Sequence, residues 1–466
     1  MVAREADRSV PRYSLIRGVF FTSKELFPNA ALKKLILPLV IEQVLAITVG
    51  LADTMMVSSV GEAAVSGVSL VDMLNVLIIN IFSALATGGA VVVAQLLGAR
   101  KNDRACDASK QLYLVVTVIA LIISALVMLF RAPLLRLLFG TIEDDVMQSA
   151  LTYLTVSVFS YPVLAIYNAG AALFRAQGNS RISMLIAGLI NIVNLIGNSV
   201  TIFWLGWGVM GAGLATLISR SVGAYITQRA LRDLHCRIPY PGMFPFEWHP
   251  SEVKKILSVG IPSGFENGLF QLGKLLLLSM IATFGTASTA ANAVGNTLGS
   301  FQCLPGNAIG LAMIAVVGQC CGAHAYDQAK FYTKKLMQIV YLCMGTLNIL
   351  MLLCNPIITL PFNLSPEAYA MALEVMVWFN IVSLFIWPSS FTMPNILRAA
   401  GDARFTMTVS IVSMWAFRVG FCYLCVLAFH GGLLAIWMGM YLDWAFRSLC
   451  FFVRFVRGKW LEQNVI

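Results

Sequence analysis

Apolar positions in this chain come in runs of about 20 or more residues, each closed by a short polar or basic stretch. A run of that length crosses a ~30 Å hydrocarbon core as a helix. Runs at 35–58, 66–96, 111–130, 148–173, 182–205 and 212–230 make a first set; 256–283, 289–317, 337–355, 368–391, 405–428 and 433–453 make a second. Between the sets lies a polar connector with Pro239, Pro241, Pro245 and Pro250. The pattern predicts an all-α polytopic membrane protein of twelve transmembrane helices in two six-helix lobes. The expected division is an N-terminal segment 1–34, an N-lobe 35–230, a connector 231–255, a C-lobe 256–453 and a tail 454–466. Leu15 to Leu26 reads as a short surface helix on the bilayer.

The two sets repeat in register. A shift of 224 residues carries Pro38 onto Pro262, Glu42 onto Glu266, Gln95 onto Gln319 and Gly98 onto Gly322. Further along, a shift of 223 carries Pro133 onto Pro356, Arg175 onto Arg398 and Gly178 onto Gly401. Matching charged and glycine positions are not explained by apolar composition alone. Each half has an even number of spans, so the halves run in the same direction. They are then related by a pseudo-two-fold axis along the membrane normal, with a pathway between them.

Composition sharpens the class. The chain has 466 residues, 59% hydrophobic and only 12% charged, against about 25% charged in soluble domains. Its net charge of +10 does not point to nucleic acid, because the basic residues sit in short loops between spans. Of the 32 lysines and arginines, Arg131 and Arg136 fall in loops opposite the amino terminus, and Arg220, Lys274, Arg418 and Arg447 fall inside spans. The rest share the side of the amino terminus. By the positive-inside rule both termini are cytoplasmic, in a multi-pass protein of the plasma membrane or bacterial inner membrane.

Polar residues inside spans are the candidate chemistry. Glu42 and Asp53 lie on the first span, and 11 positions at ~100° each leave them about 20° apart around the helix. A carboxylate near mid-membrane costs on the order of 2.5–3.5 kcal/mol, so such residues face a cavity, a partner or an ion path. On the fifth span Asn194 and Asn198 are one turn apart, and Thr216 lies on the sixth. Amide carbonyls, a hydroxyl and a carboxylate are hard oxygen ligands, suited to Na⁺ or to a network around a titrating acid. Asp53, Asn194, Asn198 and Thr216 are therefore the candidate ion site. The alternative is interhelical glue, worth about 0.6 kcal/mol per polar group. Asp72 reads as lying near the outer membrane surface, and Glu266 repeats Glu42 in the second half. Arg418, Asp443 and Arg447 on the last two spans read as an internal ion-pair set of structural role, with Asp443 and Arg447 one turn apart. Met55, Met56 and Met73 are candidates for an adaptable pocket.

Other chemistries find little support. There is no GxxxxGK[ST] to hold ATP phosphates, and His235, His249, His324 and His430 all fall outside span interiors. The Cys422–Cys425 pair lies within an apolar run without a second ligand pair. No nucleophile, acid/base or metal set converges, so no enzyme and no cofactor are expected. The energy source is then an ion gradient, of H⁺ or Na⁺.

In this order and twice over, the motifs resemble those of a multidrug and toxic-compound extrusion (MATE) transporter of the bacterial DinF/NorM-like kind. They are Pro38 followed by ADTMMV, AQLLGARKND with GQCCGAHAYD, FRAQGNSR with LRAAGDAR, and NIVNLIGN before GAGLAT. The resemblance implies two lobes forming a V open to one side at a time. It implies efflux of organic, often cationic, compounds in exchange for H⁺ or Na⁺, by a protein taken as monomeric. It assigns the coupling carboxylate to Asp53, its ligands to Asn194, Asn198 and Thr216, and helix bending to Pro38 and, by the repeat, Pro262. Phe270 and Trp387 stand where NorM-type relatives carry acids, which favours coupling in the N-lobe and leaves the part of Glu266 open. The alternative is a lipid-linked precursor flippase of the same superfamily, which expects further spans and an arginine cluster in the first lobe.

Overall fold

The computed structural model describes residues 26–140, 143–233, 238, 248–429, 431–463 and 465–466. Most of the predicted surface helix, most of the connector, and His235 and His430 lie outside the described residues. Among the described residues every regular element is helical. In chain order they are α1 (Asn29–Ser58), α2 (Glu62–Gly98), α3 (Asn102–Leu129), the short α4 (Arg131–Phe139), α5 (Asp144–Ala176), α6 (Ser180–Asn198) and α7 (Gly208–Leu231). The second half holds α8 (Pro250–Ala282), α9 (Thr286–Gly322), α10 (Tyr326–Leu353), the short α11 (Asn355–Thr359), α12 (Pro366–Phe385), α13 (Met393–Ala399), α14 (Ala403–Val412), α15 (Phe421–Phe429) and α16 (Leu433–Val456). The predicted spans fall on these helices. Most helices run a few residues past the predicted ends, because the apolar runs mark only the hydrocarbon-crossing part.

Ten of the helical stretches are long and apolar enough to cross a membrane. The two other expected spans are α8 and α16, which carry Glu266 and Lys274, and Asp443 and Arg447. Their charges lower the mean hydropathy but face inward, as charged groups in spans do. Three stretches widen into π-helix: Ser199–Trp204 after α6, Pro388–Thr392 after α12, and Ser413–Gly420 between α14 and α15. The sequence readings contained no sign of them.

Two hydrophobic cores form, one per lobe, and each borrows a helix end from the other half. Leu32, Leu35 and Leu39 of α1 pack into the second core, beside Met313 and Val316 of α9. Ile256 and Val259 of α8 pack into the first core. Ile256 and Val259 are Leu32 and Leu35 moved on by 224, so the exchange is reciprocal.

The lobes meet along the second halves of α2 and α9, where 88–96 and 312–322 are wholly buried. A methyl on Gly98 would sit 2.0 Å from the Gln319 carbonyl oxygen, and one on Gly322 would sit 1.9 Å from that of Gln95. The same glutamines reach across by side chain. Gln95 Nε2 donates to the Ala399 carbonyl at 2.7 Å, and Gln319 Nε2 to that of Ala176 at 2.8 Å. These contacts lie at the face that carries the first and last described residues. There Leu26 N donates to Gln328, and Val465 lies against Gly401. Arg104 of α3 binds Glu252 at the start of α8, tying the lobes again, and Lys255 one turn along α8 binds the same carboxylate. Burial alone would raise the Glu252 carboxyl, but hydrogen bonds from Arg104 and Lys255 hold it below the usual carboxylate range.

Away from that seam the lobes part around a cavity of about 830 Å³. It continues toward the opposite face past Met73, Leu77, Phe139, Leu278 and Ile281. The molecule is thus closed on its terminal face and open toward the other.

Candidate functional site

Four polar residues from three helices meet inside the first lobe. Asp53 sits in the last turns of α1, Asn194 and Asn198 on one stripe of α6, and Thr216 on α7. Asn198 Nδ2 donates to Asp53 Oδ1 at 2.7 Å and to Asn194 Oδ1 at 3.3 Å. Asn194 lies 3.2 Å from the Thr216 hydroxyl. With the Asn194 amide turned so that its nitrogen faces Asp53, it donates to Oδ1 at 2.7 Å while its oxygen accepts from Thr216 at 3.2 Å. That orientation gives Asp53 a second donor in exchange for the Asn198–Asn194 bond, and amide orientation is assigned from such a network. The Asn198 carbonyl oxygen is buried without a hydrogen-bond donor. A carboxylate, two side-chain amides and a hydroxyl therefore meet at the edge of a pocket of about 140 Å³, with the amide nitrogens toward the carboxylate.

The pocket holds more than the sequence reading placed there. Asp72 of α2, Tyr153 of α5 and Arg220 of α7 also line it. Asp72 accepts from Asn75 Nδ2 at 3.1 Å and from Tyr153, and Asn75 accepts from the Tyr161 hydroxyl at 2.8 Å. Arg220 Nη1 donates to Ser160 at 2.6 Å. Among the described residues neither acid is within ion-pair distance of Arg220, so two carboxylates share an enclosed space with one guanidinium. The readable signal was Arg220 itself, a basic residue inside a span.

Glu42 and Glu266 sit elsewhere, each in an ion pair repeated between the lobes. Arg175 Nη1 is 3.0 Å from Glu42 Oε1, and the Ser183 hydroxyl donates to Glu42 Oε2 at 2.6 Å. In the second lobe Arg398 Nη2 is 2.7 Å from Glu266 Oε1, the Ser410 hydroxyl donates at 2.7 Å, and Arg447 Nη2 lies 3.6 Å away. Both carboxylates are buried and already matched by arginine. The register had paired Glu42 with Glu266 and Arg175 with Arg398, but not glutamate with arginine. Glu266→Gln is therefore expected to lower the midpoint of thermal unfolding in detergent more than Glu42→Gln. Two buried guanidinium groups lose their counter-charge in the first case and one in the second, and breaking a buried pair costs about 3–5 kcal/mol. Unfolding midpoints equal to the parent's in both variants would mean that the pairs carry no stability.

Pro38 and Pro262 lie inside unbroken helices, α1 and α8. A proline frees the carbonyl four residues back. For Pro38 that is Lys34, and the Ser180 hydroxyl of α6 covers this end of the helix, at 2.6 Å from the Leu35 oxygen and 3.3 Å from that of Lys34.

Of the expected ion-pair set, the Arg418–Asp443 pair forms and the Asp443–Arg447 pair does not. Arg447 turns to Glu266, while Arg418 Nη1 lies 3.7 Å from Asp443, which also accepts from Ser413. Arg418 sits in the π-helical turn Ser413–Gly420. Of the three methionines, Met73 lines the mouth of the cavity and Met55 is 73% exposed on the outside of the bundle.

Comparison with known proteins agrees with this architecture. The MatE family model matches residues 38–200 and again 262–424. The chain is 28% identical over 467 residues to "Probable multidrug resistance protein NorM" of Thermotoga maritima, covering 98% of each. It is 27% identical over 456 residues to "Uncharacterized transporter YisQ" of Bacillus subtilis, covering 94% of this chain and 99% of that protein. A solved structure described as "Outward-facing conformation of a multidrug resistance MATE family transporter of the MOP superfamily" superposes with a TM-score of 0.83 at 20% identity, covering 93% of this chain and 96% of that one. The two matched segments start at Pro38 and Pro262, in the same 224-residue register that relates the lobes. With its helical fold, its doubled halves and both repeats matched, the chain belongs to the MatE family.

Proposed function

We propose that this protein is a secondary antiporter that exports organic compounds across the plasma membrane in exchange for H⁺ or Na⁺. Both termini are then cytoplasmic, and the closed seam faces the cytoplasm. The observation that carries the reading is the enclosed Asp53 site. It is a carboxylate with amide and hydroxyl oxygens, held in one lobe and apart from the larger cavity between the lobes. Such a site binds a proton or a small cation by charge, and it is too small for an organic cargo. Its relatives' names, multidrug resistance protein and transporter, agree with that division of labour.

The route from ion to cargo runs through α1. Its carboxyl-terminal half holds Asp53 against α6, and its amino-terminal half packs in the core of the other lobe through Leu32, Leu35 and Leu39. Filling or emptying the Asp53 site changes how α1 is held against α6. Pro38, within the amino-terminal half, lets the helix flex at low cost because one backbone hydrogen bond is already missing. Ion and cargo then bias the same two-state closure, and linkage makes each weaken the other's hold on the same state. The driving force is ~2.3 kcal/mol per charge per 100 mV, plus the chemical gradient.

Purified protein in liposomes, loaded with a fluorescent organic dye and given either a Na⁺ gradient or a pH gradient, tests this. One of the two gradients is expected to drive the dye against its own gradient. Dye movement that is blind to both gradients would remove the antiport reading.

A further inference from the structure

The wall of the cavity between the lobes is basic, and all its charge comes from one side. Lys274, Arg398, Arg418 and Arg447 line it from the second lobe, with Glu266 as the one acid among the lining residues. Asp443 lies behind, fully buried, and answers Arg418. The first lobe contributes Gln43, Asn80, Ser83 and Thr87, all uncharged. Two acids thus face four cations. Glu266 is already shared between Arg398 and Arg447.

The surplus is local and available. Among the described residues Lys274 has no acid within ion-pair distance and no hydrogen-bond acceptor, and its side chain stands open to the cavity. Arg447 is 3% exposed, and its Nε and Nη1 meet no acceptor. What surrounds these guanidinium groups is aromatic. Arg447 Cζ lies 4.6 Å from the Phe391 ring centre and 5.6 Å from that of Phe270, and Arg418 Cζ lies 5.4 Å from Phe270. Phe391 stacks in turn on Trp387, with ring centres 5.1 Å apart. Phe270 and Trp387 are the positions where acids were expected from relatives. Rings hold a guanidinium in place without neutralising it, so with two acids for four cations the cluster keeps a surplus positive charge that can pair with an oxyanion.

We infer that the cargo of this transporter carries an anionic group, a carboxylate or a phosphate, on an aromatic or apolar body. The anion is held near Lys274, Arg418 and Arg447, and the body lies against Phe270, Phe391 and the apolar mouth. This departs from the organic cations implied by the family resemblance. It rests on the transport reading only for the direction of movement, because charge preference is an equilibrium property of the cavity.

The test uses two xanthene dyes of similar size and opposite charge, fluorescein and rhodamine 6G. Each is titrated into the full-length protein in uncharged detergent at low salt, with anisotropy as the readout. Fluorescein is expected to bind about tenfold or more tightly than rhodamine 6G, with an affinity that falls as salt rises. Lys274→Gln is expected to weaken fluorescein about tenfold and leave rhodamine 6G unchanged or tighter, while Lys274→Arg restores the parent preference. Because Lys274 has no structural partner, both variants are expected to elute and unfold like the parent. Tighter binding of rhodamine 6G, equal binding, binding of neither dye, or a Lys274→Gln variant with the parent's preference overturns the inference. Adding phosphatidylglycerol separates the two sources of such an anion. Displacement of fluorescein assigns the site to a lipid headgroup, and persistence assigns it to a soluble compound, both within the inferred charge class. Failure of gradient-driven transport with fluorescein bound tightly would overturn the antiport reading and leave this one standing.

Discussion

Asp53→Asn is expected to abolish gradient-driven dye transport while leaving the protein folded and inserted. The substitution keeps the shape of the side chain and removes its charge. In the parent, Oδ1 accepts from Asn198 at 2.7 Å and, in the satisfied orientation, from Asn194 at 2.7 Å. An asparagine oxygen keeps at least one of those bonds, so the loss of stability should stay near the ~1 kcal/mol of one net hydrogen bond. The ability of this oxygen set to take up and release a proton or Na⁺ is lost, because among the described residues no other acid is hydrogen-bonded to Asn194, Asn198 or Thr216. Efflux from liposomes is expected to fall to the level of empty liposomes under either gradient, with the unfolding midpoint nearly unchanged. Dye binding at equilibrium should persist, since the cavity between the lobes does not include Asp53. Transport at the parent's rate in this variant would move the coupling to Asp72, the other carboxylate of the pocket, where Asp72→Asn is the corresponding experiment.

Sequence periodicity and repetition carried much of this. The helices were legible because twenty apolar residues in a row have few other uses, and the relation of the lobes because charged and glycine positions recur at one spacing. The grouping of Asp53 with Asn194, Asn198 and Thr216 was legible too, because hard oxygen ligands are rare inside spans. Partner choice was not. Asp443 and Arg447 are one turn apart, yet Arg447 turns to Glu266 on another helix, where a second arginine already waits. Helix spacing says which residues share a stripe, but not which helix that stripe faces. Asp72 was misjudged for the same reason. Its height in the membrane suggests a hydrated surface position, and only the packing of α2 on α5 and α7 encloses it with Tyr153 and Arg220. The π-helical turns were hidden because a widened turn depends on what presses on the helix, and its residues have no distinctive composition.

Gly98→Ala and Gly322→Ala are expected to stop transport by preventing closure on the terminal face. Each added methyl would meet a backbone carbonyl oxygen across the lobe boundary, at 2.0 Å from Gln319 and 1.9 Å from Gln95. Carbon and oxygen need more than 3 Å, and the obstacle is backbone in the last turn of a buried helix end, so no side chain can swing aside. Overpacking of this kind costs about 1–3 kcal/mol, enough to shift a two-state equilibrium by roughly 5- to 150-fold. The cost falls on the closed seam and spares both lobe cores, because the methyl lies between the lobes. The closed-seam state is therefore depopulated while each lobe stays folded. Spin labels placed by Arg100→Cys and Ala325→Cys, in a background without the native cysteines, should report longer distances in both glycine variants. Dye transport should fall about tenfold or more. Gly264→Ala, also on a membrane helix but with nothing within 4 Å of the added carbon, is the control and should behave as the parent. The repeat makes a further demand. The two glycine contacts are repeat-related and lie on the same seam, so once either methyl has opened it the double variant should show little beyond the worse of the singles. Additive effects, or parent-like distances in either single, would mean that the lobes do not close through this seam.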